Sequence, residues 1–111
     1  MADTPIGEFE QLVMLALLRV GDNAYGVPIH EELAQRARRS VNVAAVYKTL
    51  ERLEAKGYVS SRVGEPTAER GGRRRKYFKL ETRGRQALRE SLATLRRMTA
   101  GIEADLPGGG I

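Results

Sequence analysis

There is no cysteine and no tryptophan in this chain, and only one histidine, two phenylalanines and four tyrosines among 111 residues. Without thiols, disulfides, thiolate zinc sites and thiol catalysis are excluded, and a reducing cytoplasm is the expected location. The longest apolar stretch, 12–18, is too short to span a bilayer, and no charged, apolar and small-residue series marks a secretory signal. A soluble protein with no membrane partner is expected. Nor is there a Gly-x-Ser-x-Gly elbow, a phosphate loop or a histidine spaced against carboxylates, so no catalytic residue is assigned and no enzyme is expected. His30, with no acidic cluster around it, reads as a surface residue of a helix. No metal and no cofactor is expected.

Positive charge is what the chain has in surplus. Lysine and arginine total 19 against 14 acidic residues, a formal net charge of +5. The excess is local, because Arg70, Arg73, Arg74, Arg75, Lys76 and Lys79 fall close together, with Arg62 just upstream. Such a patch suggests a polyanionic partner. A charge run by itself is more often a solvated surface, but this one sits in a strand-turn-strand pattern, which favours the partner. The length suits one domain with a single core.

Phe9, Leu12, Val13, Ala16, Leu17 and Val20 recur at helical steps and predict a first helix over 7–19, with Thr4 and Pro5 as a start signal. Leu15 and Leu18 widen its stripe, so it should touch more than one element, either the rest of the domain or a second subunit. Gly21, Asp22 and Asn23 break it. A second helix follows over 27–38, with Pro28 in its first turn and Ile29, Leu33 and Ala37 buried. Asn42 is a good N-cap for a third helix over 43–56. Val46, Leu50 and Leu53 then point inward; Ala44, Ala45, Lys48, Glu51 and Arg52 point outward, and Tyr47 sits on the flank. Gly57 supplies the left-handed stop.

Strands are predicted over 58–63 and 75–80, with Phe78 and Leu80 on the core face and Tyr77 and Lys79 on the other. The Gly-rich stretch 64–72 between them reads as a mobile wing tip. Thr82 is placed as the cap of a last helix reaching at least Thr99. Leu88, Leu92, Leu95, Thr99 and Ile102 are spaced four, three, four, three, the seam of a short coiled coil. With Leu15 and Leu18 of the first helix, these five are expected to form a dimer interface.

A helix with a buried stripe and a narrow outward face, then a strand, then a basic hairpin, is the order a winged-helix DNA binder needs. The predicted fold is α+β, mostly α: a winged helix-turn-helix over 1–80, a dimerisation helix over 81–104 packed with the first helix, and a disordered tail over 105–111. The expected DNA contacts are Asn42, Ala44, Ala45, Tyr47, Lys48, Arg52, Arg70, Arg73, Arg74, Arg75 and Lys76.

The residues resemble the PadR family of winged-helix regulators. The likeness runs through Leu12 to Leu18, Ala24-Tyr25-Gly26, Val46-Tyr47-Lys48-Thr49-Leu50-Glu51-Arg52-Leu53-Glu54 with Gly57, the wing Gly72-Arg73-Arg74-Arg75-Lys76-Tyr77-Phe78-Lys79-Leu80, and Gly84. The helix motif alone is shared with other winged-helix repressors; joined to the wing it is specific. The family commonly leads into its third helix through a serine-proline-glycine type segment, where this chain has Asn42-Val43-Ala44-Ala45. The threonine that usually follows the wing strand is displaced to Thr82, behind Glu81. The resemblance implies a dimeric DNA-binding repressor, and the single last helix resembles the short subtype without a separate C-terminal domain.

Individual residues keep more than one reading. Tyr47 either donates its hydroxyl to a phosphate, as the resemblance implies, or packs the third helix against the wing. Lys48 and Arg52 can meet phosphate or guanine, or stand in solvent. Ala44 and Ala45 can meet thymine methyl groups or simply permit close approach. At the level of function, a homodimer on double-stranded DNA leads. A small-molecule-sensing regulator with a cavity at the dimer interface can coexist with it, and a basic RNA-binding module is the alternative from another class.

Overall fold

The computed structural model describes residues 5–66, 74–106 and 108. In chain order these form α1 (Glu8–Val20), α2 (Gly26–Gln35), α3 (Val43–Ala55), β1 (Val59–Pro66), β2 (Arg74–Leu80), α4 (Thr82–Thr99) and a 3-10 turn at Glu103–Asp105. The expected α+β architecture, dominated by helix, is what is found. The wing tip over 67–73, including Arg70 and Arg73, and the last tail residues lie outside the described residues.

The inner faces of the helices meet under the sheet. Val13, Met14 and Leu17 of α1, Ile29 and Leu33 of α2, and Val46, Leu50 and Leu53 of α3 are buried with Tyr58, Val59, Phe78 and Leu80. Each such side chain contributes roughly 1.5–3 kcal/mol relative to exposure. One polar link crosses this packing. Lys56, at the end of α3, donates from Nζ to Glu10 of α1 at 2.9 and 3.2 Å, and the Gly7 N–H donates to the same carboxylate at 2.9 Å. Burial alone would raise the Glu10 carboxyl, but the Gly7 N–H, the Lys56 ammonium and the Arg52 guanidinium together hold it below the ordinary carboxylate value.

The α2 boundary departs from expectation. The helix begins at Gly26 and ends at Gln35, because the chain turns out of it through Arg38, whose φ is +56°, while the Arg39 N–H donates to the Leu33 carbonyl at 3.0 Å. Ala37 is thus off the helix, although half-buried against the core. His30 is half-buried, not simply on the surface: its Nε2 donates to the Val41 carbonyl and ties α2 to the segment before α3.

The strands pair antiparallel, Val59 with Leu80, Ser61 with Phe78 and Arg62 with Tyr77. Here β1 runs beyond the expected Val63 to Pro66, through an irregularity between Val63 and Pro66 that leaves Gly64 and Glu65 unpaired in the register. Gly64 is required there: a Cβ would lie 2.5 Å from Cε2 of the Tyr77 ring.

The cap of α4 is Glu81, with Thr82 the first helical residue, and no side-chain cap is made. Glu81 is committed elsewhere: its N–H donates to the Tyr58 carbonyl at 2.9 Å and its carboxylate accepts from Ser60. Leu88 also departs from expectation. It is 4% exposed and belongs to the chain's own core, because Gly84 brings the start of α4 so close that a Cβ there would run into the Tyr58 carbonyl. Leu15 and Leu92 are half-buried beside it.

Candidate nucleic-acid interface

Helix α3 begins where the Asn42 side chain accepts from the Ala45 N–H at 2.8 Å, so the carbonyl oxygen expected near DNA already caps a helix. It stops at Gly57, whose φ is +79°. Between these signals Val46, Thr49, Leu50 and Leu53 face the core. Ala44, Lys48, Glu51 and Arg52 are exposed, and Ala45 is half-exposed. Lys48 has no ion-pair partner among the described residues. Arg52 is partly engaged, donating to Thr49 Oγ1 at 3.3 Å. The exposed face is thus low at its N-terminal end and carries Lys48, Glu51 and Arg52 from one turn later.

Tyr47 packs the third helix against the wing. Its ring is half-buried, stands 6.3 Å from the Phe78 ring, and covers Gly26, where a Cβ would be 2.5 Å from Tyr47 Cε2.

The sheet sorts the wing's charge between two faces. Lys76 is on the side of α3, with its ammonium 3.8 Å from Glu54 and 5.6 Å from the centre of the Phe78 ring. Glu54 also accepts from Ser61 at 2.6 Å. On the opposite face Arg62 lies 4.6 Å from the Tyr77 ring centre and Arg75 lies 4.5 Å from that of Tyr25. Arg74 stands opposite Pro66 in the register. The site thus presents α3's exposed face, then Lys76 joined to α3 through Glu54, with Arg62 and Arg75 held on aromatic rings on the other face of the sheet.

The model of the transcriptional regulator PadR-like family matches residues 14–90, a span that includes α2, α3, both strands and the first half of α4. The chain belongs to this family. It is a family of transcription regulators rather than enzymes. A PadR-like transcription factor from Bacteroides fragilis superposes with a TM-score of 0.69 at 27% identity, over 86% of this chain and 87% of that one. For a PadR family transcriptional regulator from Eggerthella lenta DSM 2243 the TM-score is 0.66 at 27% identity, over 92% and 88%. A PadR family regulator from Clostridium difficile R20291 shares the fold at 0.67 and 24% identity, over 92% and 100%. No curated protein matches the sequence.

In this PadR-like chain two features of the interface escape a reading of the sequence. The Lys76–Glu54 ion pair joins β2 to α3 across positions that no local period connects. The pairing of Tyr25 with Tyr77, ring centres 5.8 Å apart and nearly perpendicular, brings the start of α2 to the wing. The only prior signal for it was the outward alternation of Tyr77 between Lys76 and Phe78. Away from the interface, the PadR-like chain exposes apolar side chains at the far end of α4, Leu95 by 50% and Met98 by 72%, with Leu18 of α1 at 41%. The helical seam expected to run on to Ile102 stops at Thr99, because the chain turns out of α4 through Ala100 and Gly101, whose φ is +85°; Ile102, 44% exposed, lies beyond the helix. Thr99 is half-buried. Among the described residues no helix is long and apolar enough to cross a membrane.

Proposed function

We propose that this PadR-like chain is a sequence-specific repressor that binds double-stranded DNA as a homodimer, in the cytoplasm. Helix α3 enters the major groove, and the wing, with Arg70, Arg73, Arg74, Arg75 and Lys76, meets the flanking backbone or minor groove. The observation that carries the reading is the α3 surface: Ala44 and Ala45 allow close approach, and Lys48, exposed and without an ion-pair partner among the described residues, stands one turn further on to reach a base edge or a phosphate. The exposed Leu18, Leu95 and Ile102 support a second subunit, joined by Leu15, Leu92 and Thr99. Two copies would place their α3 helices in grooves about 34–36 Å apart and repress by obstructing polymerase.

Selection of duplexes from a random pool tests this directly. A two-fold-related motif should be enriched, and Lys48→Ala should weaken that motif more than unrelated DNA, by roughly 1–3 kcal/mol if the lysine reads a base. Replacing Arg73, Arg74 and Arg75 by alanine should flatten the salt dependence without changing the motif, since each lost phosphate contact lowers the slope by about 0.9. Absence of any enriched motif would contradict sequence-specific binding, and tighter binding to structured RNA would favour the RNA-binding alternative.

A second reading, compatible with the first, is effector sensing. A hollow of about 280 Å3 between α1 and α4 has an apolar floor of Leu15, Leu18, Leu88 and Leu92, with Arg85, Arg89 and Arg96 around it. This suits an apolar organic anion, and the expected sign is a rise in Tm with ligand that Leu92→Trp, by filling the hollow, abolishes.

A further inference from the structure

The Ala24–Gly26 segment touches both halves of the proposed DNA-reading surface. On one side the Ala24 carbonyl accepts from the Phe78 N–H of β2 at 2.8 Å, as a third strand would. On the other, Gly26 lies under the Tyr47 ring of α3. Between them Tyr25 sends its ring to the outer face of the wing, where it meets Tyr77 edge to face at 5.8 Å. Each ring of this pair carries a guanidinium, Arg75 on Tyr25 and Arg62 on Tyr77, and Gly64 leaves the room that Tyr77 needs. Arg62 is exposed and Arg75 half-exposed.

Stacking engages the flat face of a guanidinium, whereas phosphate is bound through the in-plane N–H edge, so the two uses are geometrically compatible. A stacked arginine has already lost most of the rotamer freedom that binding would otherwise remove. We propose that Tyr25 and Tyr77 are positioning residues for DNA binding: they fix the wing relative to α3 and hold Arg62 and Arg75 where the backbone of the bound duplex passes. Arg62 thereby joins the interface. The inference rests on the DNA-binding reading above and adds to it a joint between the start of α2 and the wing.

The experiment compares salt dependence of duplex binding, by fluorescence anisotropy on the selected site, for the parent, Tyr25→Phe, Tyr25→Leu, the Arg62→Ala/Arg75→Ala pair, and that pair combined with Tyr25→Leu. Tyr25→Phe keeps the ring and should keep the parent's slope. Tyr25→Leu, which removes the ring under Arg75, should flatten the slope by up to about 0.9 per bound chain, against up to about 1.8 for the arginine pair at about 0.9 per lost phosphate contact. Combined with the arginine pair it should add nothing, because the tyrosine acts through those arginines. A parent-like slope for Tyr25→Leu, or a further full loss in the combined variant, overturns the proposal. If leucine at 25 abolishes the cooperative thermal transition, Tyr77→Leu carries the same expectation and the same refutation. A parent that binds no duplex at low salt removes the DNA-binding reading itself, which is a different result from a parent with a steep slope that Tyr25→Leu leaves intact.

Discussion

Along α4, Leu88 is buried in the core of its own chain, whereas Leu95, one heptad further on, lies about half in solvent, as does Ile102 past the end of the helix. Leu88 and Leu95 occupy one stripe of one helix, while Ile102 follows the turn through Ala100 and Gly101 that ends it. What separates them is reach: eighteen residues extend roughly 27 Å, and the core lies only under the part near Gly84, where the backbones of α4 and Tyr58 almost touch. A heptad therefore identifies an apolar face without saying which surface covers it. The covered half is packed within the chain, and the uncovered half is the surface on which the second copy is proposed to sit.

The sharpest way to break this comparison is to put the same charge in both halves. Leu88→Asp should be severely destabilising, by about 4 kcal/mol, since it removes core packing and buries an unpaired carboxylate. Thermal unfolding by circular dichroism checks it, and a Tm equal to the parent's would show that Leu88 does not hold α4 to the core. The close approach itself is tested next. Gly84→Ala gains helix propensity but forces a Cβ against the Tyr58 carbonyl and to 2.7 Å from Leu80 Cδ1, so a net loss of about 1–3 kcal/mol is expected in urea unfolding. A stabilised variant would mean that the helix seats elsewhere.

Smaller effects sharpen the picture of the core on which α4 rests. The Glu10 carboxyl is held below its ordinary 4.5 in the folded protein, so the stabilisation it brings is fully present above that value and is lost as pH falls below it toward the folded value. Glu10→Gln should cost about 1 kcal/mol near neutrality, the ion pair being partly solvated, and should flatten the loss of urea midpoint below pH 4.5. An unchanged acid limb would assign that loss to other carboxylates. Asn42→Ala removes one cap, for about 1 kcal/mol; its effect on the urea midpoint should be the same in a Leu95→Asp background, because cap and seam share no partner.

The elements that were legible in the sequence are those set by neighbours along the chain. Asn42, the Val46, Leu50 and Leu53 stripe and Gly57 specify α3 locally, and its limits follow within one residue. The exposure of Lys48 follows from the same period. What was not legible depends on contacts between distant segments. The early end of α2 rests on the turn at Arg38, the longer β1 on room at Gly64 for the Tyr77 ring, and the Glu81 cap on its bonds to Tyr58 and Ser60. At the site, the packing of Tyr47 on Gly26 and Phe78 joins residues far apart in the chain, and the pairing of Lys76 with Glu54 has no period to announce it.

The most direct test of the whole account is sedimentation velocity of the parent and Leu95→Asp at micromolar concentration, alone and with the selected duplex. Expected is a parent dimer that puts two chains on each duplex, and a Leu95→Asp protein that stays folded but sediments as a monomer and loses tight binding while every proposed DNA-contacting residue remains. A parent that is a stable monomer, or a Leu95→Asp dimer with normal binding, would contradict it.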